Sequence, residues 1–242
     1  MHIFHPIIEE VRRYLDQQSK AGTPYRDSII PGDIAWPSAE RPEIILKKDL
    51  ALELGSPETA SVSFLLWTSD LKRIHNRRLT LIGPDMAGPE IAGTQTTALP
   101  LGKIVMVGVE GFDENNAYER NREIYLKKFD LALKGVMLKS ASHYRAEWLR
   151  INREAMNNGI TFSHLAGGLM DAYLSLPYVK TVEMAFVTSS IEDVNALHDM
   201  GNRAARTIQA MYKMTNEMSF DCAECEFQDL CEEADELRDL RE

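Results

Sequence analysis

The stretch VKTVEMAFVTSSIEDVNALHDMGNRAARTIQAM (179–211) changes its hydrophobic period part-way and so decides the class of fold. Residues 179–188 are dense in β-branched and aliphatic side chains and predict a strand. Ser190 and Asp193 then resemble a capping box, which opens a helix. Small and apolar side chains follow at helical spacing, a pattern typical of a core-facing helix rather than a cofactor pocket. This stripe consists of Val194, Leu197, Gly201, Ala204, Ile208 and Met211.

Elsewhere the chain predicts strands first and helix–strand–helix afterwards, which indicates an α+β fold. The predicted strands are 43–54, 62–68, 78–82, 103–109 and 148–152, and the predicted helices run from 113 to about 139 and over 163–175. We therefore expect an N-terminal helix and extended loop (1–42), an α+β domain (43–215) and an acidic, irregular, cysteine-containing tail (216–242).

Composition and charge disfavour several functional classes. The formal net charge of −10 argues against nucleic acid and anionic membrane as partners, since both bind basic surfaces. No segment approaches the roughly 18–20 apolar residues that cross a bilayer. The N-terminus lacks the basic start and apolar core of a secretory signal, so we expect a cytoplasmic protein.

The negative charge is concentrated at the C-terminus, where all three cysteines lie. Residues 221–242 hold ten acidic side chains against two arginines, which gives −8 of the −10. Cys222, Cys225 and Cys231 fall within ten residues of one another. An odd number of cysteines in a reducing compartment argues against a disulfide framework. The alternatives are a metal site and ordinary buried thiols.

The spacing of these cysteines favours a metal. In Cys222-x-x-Cys225 both sulfurs can reach one ion at about 2.3 Å, and Cys231 can fold back as a third ligand. Nearby carboxylates disfavour a free thiolate, whereas a bound cation stabilises it. An iron–sulfur cluster is the expected cofactor and zinc the alternative. The fourth ligand stays open between Asp221, His164, His198, a small molecule and a cysteine of another chain, so a homo-oligomer is also open.

A second candidate site is a tryptophan among arginines. Trp148 is flanked by Arg145, Arg150 and Arg153. An indole ring among guanidinium groups can stack on a purine and clamp phosphates through forked hydrogen bonds. The alternative is a solvated face whose arginines form local ion pairs.

Two longer stretches carry a family resemblance. LELGSPETASVSFLLWTSDLKRIHNRRLTLIGPD (52–85) and EWLRINREAMNNGITFSHLAGGLMDAYLSLPYVKTVEMAFVTS (147–189) resemble, in the same order, parts of the β subunit of the carbon monoxide dehydrogenase/acetyl-CoA synthase complex. The resemblance implies a mixed sheet with packed helices, like the middle domain of acetyl-CoA synthase. It also implies coenzyme A binding at Trp148 and Arg150, and cluster ligation by Cys222, Cys225 and Cys231.

The chain departs from the family in its metal ligands. A fourth cluster cysteine and the Cys-Gly-Cys that holds nickel are both missing, so acetyl transfer by this polypeptide alone is not expected. Whether the chain is an enzyme therefore stays open. The resemblance implies an accessory protein of anaerobic one-carbon, acetyl-CoA or corrinoid metabolism, with a carbon monoxide dehydrogenase-like or corrinoid subunit as partner.

Two further hypotheses remain from the sequence. One is a structural or interaction protein with zinc or an empty cysteine site and an acidic docking tail. The other rests on Cys-x2-Cys-x5-Cys, which also resembles the cluster of iron–sulfur nucleases, although the acidic charge suits nuclease work badly.

Overall fold

The computed structural model describes residues 2–32, 34–86, 98–142 and 146–216. These residues form six helices and nine strands. The helices are α1 (His5–Lys20), α2 (Ala117–Lys127), α3 (Arg153–Asn157), α4 (Phe162–Leu174), α5 (Ile191–Asn195) and α6 (His198–Asn216). The strands are β1 (Tyr25–Ile29), β2 (Leu50–Leu54), β3 (Ser61–Thr68), β4 (Arg78–Ile82), β5 (Ala98–Leu99), β6 (Leu101–Val109), β7 (Val136–Ser142), β8 (Ala146–Asn152) and β9 (Val179–Val187).

The larger sheet has five strands in the order β1-β4-β9-β6-β3. The β4–β9 and β3–β6 pairs are parallel and the other two pairs are antiparallel, so the sheet is mixed. Every residue of β6 is buried, as expected for an almost continuous apolar run covered on both faces. The edge strand β1 is largely exposed.

The smaller sheet has four strands in the order β5-β2-β8-β7. Strand β8 pairs antiparallel with both β2 and β7. Its residues alternate between buried and partly exposed, so one face points into the protein and the other outward. This alternation positions the candidate site.

Helices cover both faces of the larger sheet. On one face Gly201 of α6 lies against Phe64, and Arg12 of α1 pairs with the buried Glu183 of β9. On the other face Phe162 of α4 packs on Phe186 of β9, with ring centroids 4.6 Å apart. The stripe predicted from Val194 to Met211 is confirmed as core, and so is the α+β class. Among the described helices, none combines the length and apolar character of a membrane span.

The helix predicted from 113 to about 139 was wrong in its second half. Helix α2 ends at Lys127, and a short 3-10 turn covers Lys128–Asp130. Gly135 then adopts a φ of +81°, a backbone conformation that is strained for residues with a side chain. After this glycine the chain enters β7. Strand pairing with β8 therefore overrides the helical spacing of Val136 and Met137.

Two predictions in the first quarter also changed. The strand predicted over 43–54 is limited to β2, because Ile45 donates its N–H to Met137 Sδ rather than to a neighbouring strand. The loop predicted over 21–42 contains β1. The exposed, polar side chains of an edge strand give no alternating apolar pattern to detect.

Candidate functional site

Strand β8 carries two of the four predicted coenzyme A residues on its outward face. Trp148 and Arg150 are two residues apart and therefore share that face with Asn152. The guanidinium carbon of Arg150 lies 5.5 Å from the centre of the Trp148 ring, within reach of a cation–π contact. The structure thus brings together the two residues that the family resemblance singles out.

Arg150 is already engaged by its neighbours. Its Nε donates to Glu53 Oε1 at 3.0 Å, and a terminal nitrogen donates to the carbonyl oxygen of Ile45 at 3.4 Å. The Arg150 and Glu53 side chains are about one-quarter and one-fifth exposed, so solvent reaches the pair. A guanidinium has five N–H donors, so three donors of Arg150 make no hydrogen bond within the part of the chain that the structure describes.

The other predicted arginines contribute differently. Arg153 is exposed at the start of α3, where Asn152 caps the helix by accepting a hydrogen bond from the Ala155 N–H. Arg145 lies outside the described residues, as do Cys222, Cys225 and Cys231. Asp221, one proposed fourth ligand, also lies outside them. Within the described ranges, no three histidine, cysteine or acidic side chains group as a metal site.

The two candidate histidine ligands have distinct environments. His198 is exposed at the first residue of α6. His164 belongs to a capping box at the start of α4, where its Nδ1 accepts a hydrogen bond from the Thr161 N–H at 3.1 Å. Burial lowers the pKa of His164, although nearby Asp85 opposes the shift. Because its Nδ1 accepts the hydrogen bond from Thr161, His164 is a neutral imidazole that belongs to the helix cap.

The inward face of β8 holds a charged cluster that the sequence did not predict. Glu147 pairs with Lys103 of β6 through one carboxylate oxygen and with Lys128 through the other, the latter at 2.5 Å. All three side chains are at most 3% exposed. The Lys128 ammonium also lies 3.5 Å from the centre of the Tyr125 ring. A lysine within an apolar strand, as in LGKIVMVGV (101–109), was the available signal.

The pKa values of Glu147 and Lys103 depend on burial and on the charges beside them. Burial alone would raise the pKa of Glu147, but Lys103 and Lys128 together hold it below its usual value of 4.5. Burial lowers the pKa of Lys103, and Lys128 adds to the shift, against the attraction of Glu147. Ser61 Oγ donates to the backbone oxygen of Glu147 at 2.5 Å. Lys103 and Ser61 belong to the larger sheet and Glu147 to the smaller one, so these contacts link the two sheets.

The Ile82-Gly-Pro-Asp85 turn, part of the family-like stretch, positions α4. Asp85 Oδ1 accepts hydrogen bonds from the N–H groups of Phe162 and Met86, both at 2.8 Å. Gly83 has a φ of +106°, and a Cβ there would lie 2.4 Å from the Ser189 nitrogen. The turn thus requires glycine for its backbone and aspartate for the start of α4.

A cavity of about 420 Å³ opens at the end of β8. It lies between residues 35–37, the Lys134–Gly135 turn, α3 and His164. Asn152, which follows Trp148 and Arg150 on the outward face, lines it.

Comparison with protein families shows the family to which the chain belongs. The model of the CO dehydrogenase/acetyl-CoA synthase complex beta subunit matches residues 33–193, which is about two thirds of the chain. The chain belongs to this family. The match includes both quoted stretches, the Gly83–Asp85 turn and the Trp148–Arg150 pair, and it ends before the three cysteines. No curated protein matches the chain significantly.

The family match covers both faces of β8. A relationship to the acetyl-CoA synthase subunit of a carbon monoxide dehydrogenase complex is established for residues 33–193. Both the Trp148–Arg150 pair and the buried cluster around Glu147 lie within that range. The predicted metal site at Cys222, Cys225 and Cys231 lies outside both the family match and the described residues, so it rests on the sequence alone.

Proposed function

We propose that this chain is an accessory protein of anaerobic acetyl-CoA, one-carbon or corrinoid metabolism that binds coenzyme A on the outward face of β8. The observation that carries the proposal is the contact between Arg150 and Trp148 within the family match. The cysteine tail is proposed to bind an iron–sulfur cluster, with zinc as the alternative. A carbon monoxide dehydrogenase-like or corrinoid subunit is the proposed partner.

Coenzyme A fits the chemistry of this face. Its adenine ring can stack on an indole, and its phosphates accept forked hydrogen bonds from a guanidinium. Trp148 is partly exposed, and three N–H donors of Arg150 make no hydrogen bond to the described residues. Glu53 competes for Arg150, so the phosphates must displace or bypass its carboxylate.

The tail fits a cation because of its donor set. Three thiols lie within ten residues, and ten carboxylates within residues 221–242 surround them in the sequence. Thiolates there need a positive charge to offset those carboxylates. When bound, an iron–sulfur cluster would supply one-electron redox chemistry. No Cys-Gly-Cys occurs in the chain, so the proposal assigns it no acyl-transfer step at nickel.

The acidic tail also favours a second candidate function, docking to a basic partner with zinc or nothing at the cysteines. Deletion of residues 220–242 distinguishes docking through the tail from coenzyme A binding on β8. A docking module would lose its partner, whereas coenzyme A binding on β8 would remain.

Metal analysis tests the cofactor. Protein purified without oxygen should contain iron and absorb broadly in the visible region, and the Cys222→Ser/Cys225→Ser/Cys231→Ser variant should lose both signals. Zinc without iron would support the alternative. Metal-free protein with unchanged stability in the triple variant would remove the metal site.

Calorimetry tests the coenzyme A site. Wild-type protein should bind coenzyme A weakly, and Trp148→Ala should reduce the affinity about tenfold or more, as loss of base stacking typically does. Lys20→Gln, at the exposed last residue of α1, serves as a surface control and should not change the affinity. Absence of binding at millimolar coenzyme A would refute the site.

A further inference from the structure

The cavity at the end of β8 is open to solvent and large enough for a small molecule. Its volume of about 420 Å³ falls in the range of pockets that enclose such ligands. Its walls come from residues 35–37, the Lys134–Gly135 turn, α3 and the first turn of α4. The proposed coenzyme A site does not use these walls.

One wall is an aromatic ring held in a fixed orientation. Trp36 is partly exposed, and its Nε1 donates to the backbone oxygen of Lys134 at 2.8 Å. Its ring packs on the imidazole of His164, with centroids 4.9 Å apart at an angle of 50°. A ring restrained on its polar edge and against a second ring offers a preformed surface for stacking.

The remaining lining supplies hydrogen-bonding groups. Because His164 Nδ1 accepts from the Thr161 N–H, the neutral ring carries its proton on Nε2. Asn152 uses its Oδ1 for the Ala155 N–H, which leaves its NH₂ group for a ligand. The Asn158 side-chain amide makes no hydrogen bond within the described part of the chain, although its backbone N–H donates to the Glu154 oxygen. Such amides match the donor and acceptor edges of a nitrogen heterocycle.

A positive charge stands at the rim. Lys134 Nζ pairs with Glu154 Oε1 at 3.0 Å, and both side chains are more than half exposed. An exposed pair of this kind contributes little stability, so an anionic ligand can replace the Glu154 carboxylate at low cost.

We propose that this cavity binds a mononucleotide, with the base stacked on Trp36, its edge facing Asn152 and Asn158, and its phosphate at Lys134. The aromatic wall, the amides and the rim ammonium together supply all three kinds of contact. This site goes beyond the proposed function, and its existence does not depend on coenzyme A binding at Trp148.

Calorimetric titration of the full chain with adenosine monophosphate tests the proposal. Trp36→Ala should weaken binding about tenfold or more, the usual loss for base stacking, whereas Trp36→Phe should weaken it less because a ring remains. Lys134→Gln should weaken the binding of adenosine monophosphate but not the binding of adenosine, which has no phosphate. Ribose 5-phosphate should not bind detectably, since it has no base.

Circular dichroism of each variant first establishes that it is folded. Absence of adenosine monophosphate binding at millimolar concentration, or equal affinity in wild type and folded Trp36→Ala, would overturn the proposal. Adenine and phosphate also fit the Trp148–Arg150 face, so the two sites are distinguished in the Trp148→Ala background. Adenosine monophosphate should still bind Trp148→Ala protein, and adding Trp36→Ala should weaken that remaining binding about tenfold or more. If Trp148→Ala weakened both ligands equally and Trp36→Ala weakened neither, the cavity would not be the site.

Discussion

The charged side chains on the two faces of β8 differ in their exposure to solvent. On the inward face Glu147 is enclosed with Lys103 and Lys128, away from water. On the outward face Arg150 and Glu53 form a pair that solvent reaches, beside the Trp148 ring. Burial makes the inward cluster costly to break, and exposure makes the outward pair easy to exchange. Alternate residues of one strand thus form an enclosed ion cluster on one side and the proposed coenzyme A site on the other.

The largest expected effect comes from Glu147→Gln. This change leaves two ammonium groups enclosed without a carboxylate, which should cost about 3–5 kcal/mol of unfolding free energy. Urea denaturation followed by circular dichroism measures the loss. The Lys103→Met/Glu147→Gln variant removes one charge of each sign and should recover part of it. Equal stability of wild type and Glu147→Gln would refute enclosure of the cluster.

The same cluster should make stability sensitive to acid. Because the folded pKa of Glu147 lies below 4.5, its contribution is fully present above about pH 4.5 and is lost as pH falls through the folded value. The difference in unfolding free energy between wild type and Glu147→Gln should therefore shrink in acid. Urea titrations of both proteins at neutral and acidic pH measure it. A difference that grows in acid would contradict the assigned direction.

On the outward face the equivalent change should be mild. Glu53→Gln removes the carboxylate of a partly solvated pair and should cost at most about 1 kcal/mol. The urea titration that measures Glu147→Gln applies here, so the two Glu→Gln changes form a matched comparison across one strand. A loss as large as that of Glu147→Gln would mean that the faces do not differ.

The contrast between the faces also explains what the sequence could predict. Strands such as Arg78–Ile82 were predicted correctly because local composition and turns define them. Strand β7 was mistaken for helix because its pairing with β8 is a tertiary effect. The Glu147 cluster joins residues from three separate elements, and the spacing of charges along the chain does not reveal such a meeting.

The candidate site was predicted in part. Trp148 and Arg150 were selected by their family-like context, and the structure places them in contact. The cavity beside Trp36 was not predicted, since its lining comes from three stretches that are separated in the sequence, 35–37, 134–135 and 152–164. The cysteine site stays a prediction because Cys222, Cys225 and Cys231 lie outside the described residues.

The most direct test of the coenzyme A site compares its affinity in Glu53→Gln and Arg150→Gln. In the proposed site Glu53 competes with phosphate for Arg150, so Glu53→Gln should tighten coenzyme A binding, whereas Arg150→Gln should weaken it. A purely structural role for the pair would move both affinities in the same direction. Calorimetry showing opposite changes is the predicted result, and equal weakening in both variants, or no change in either, would contradict it.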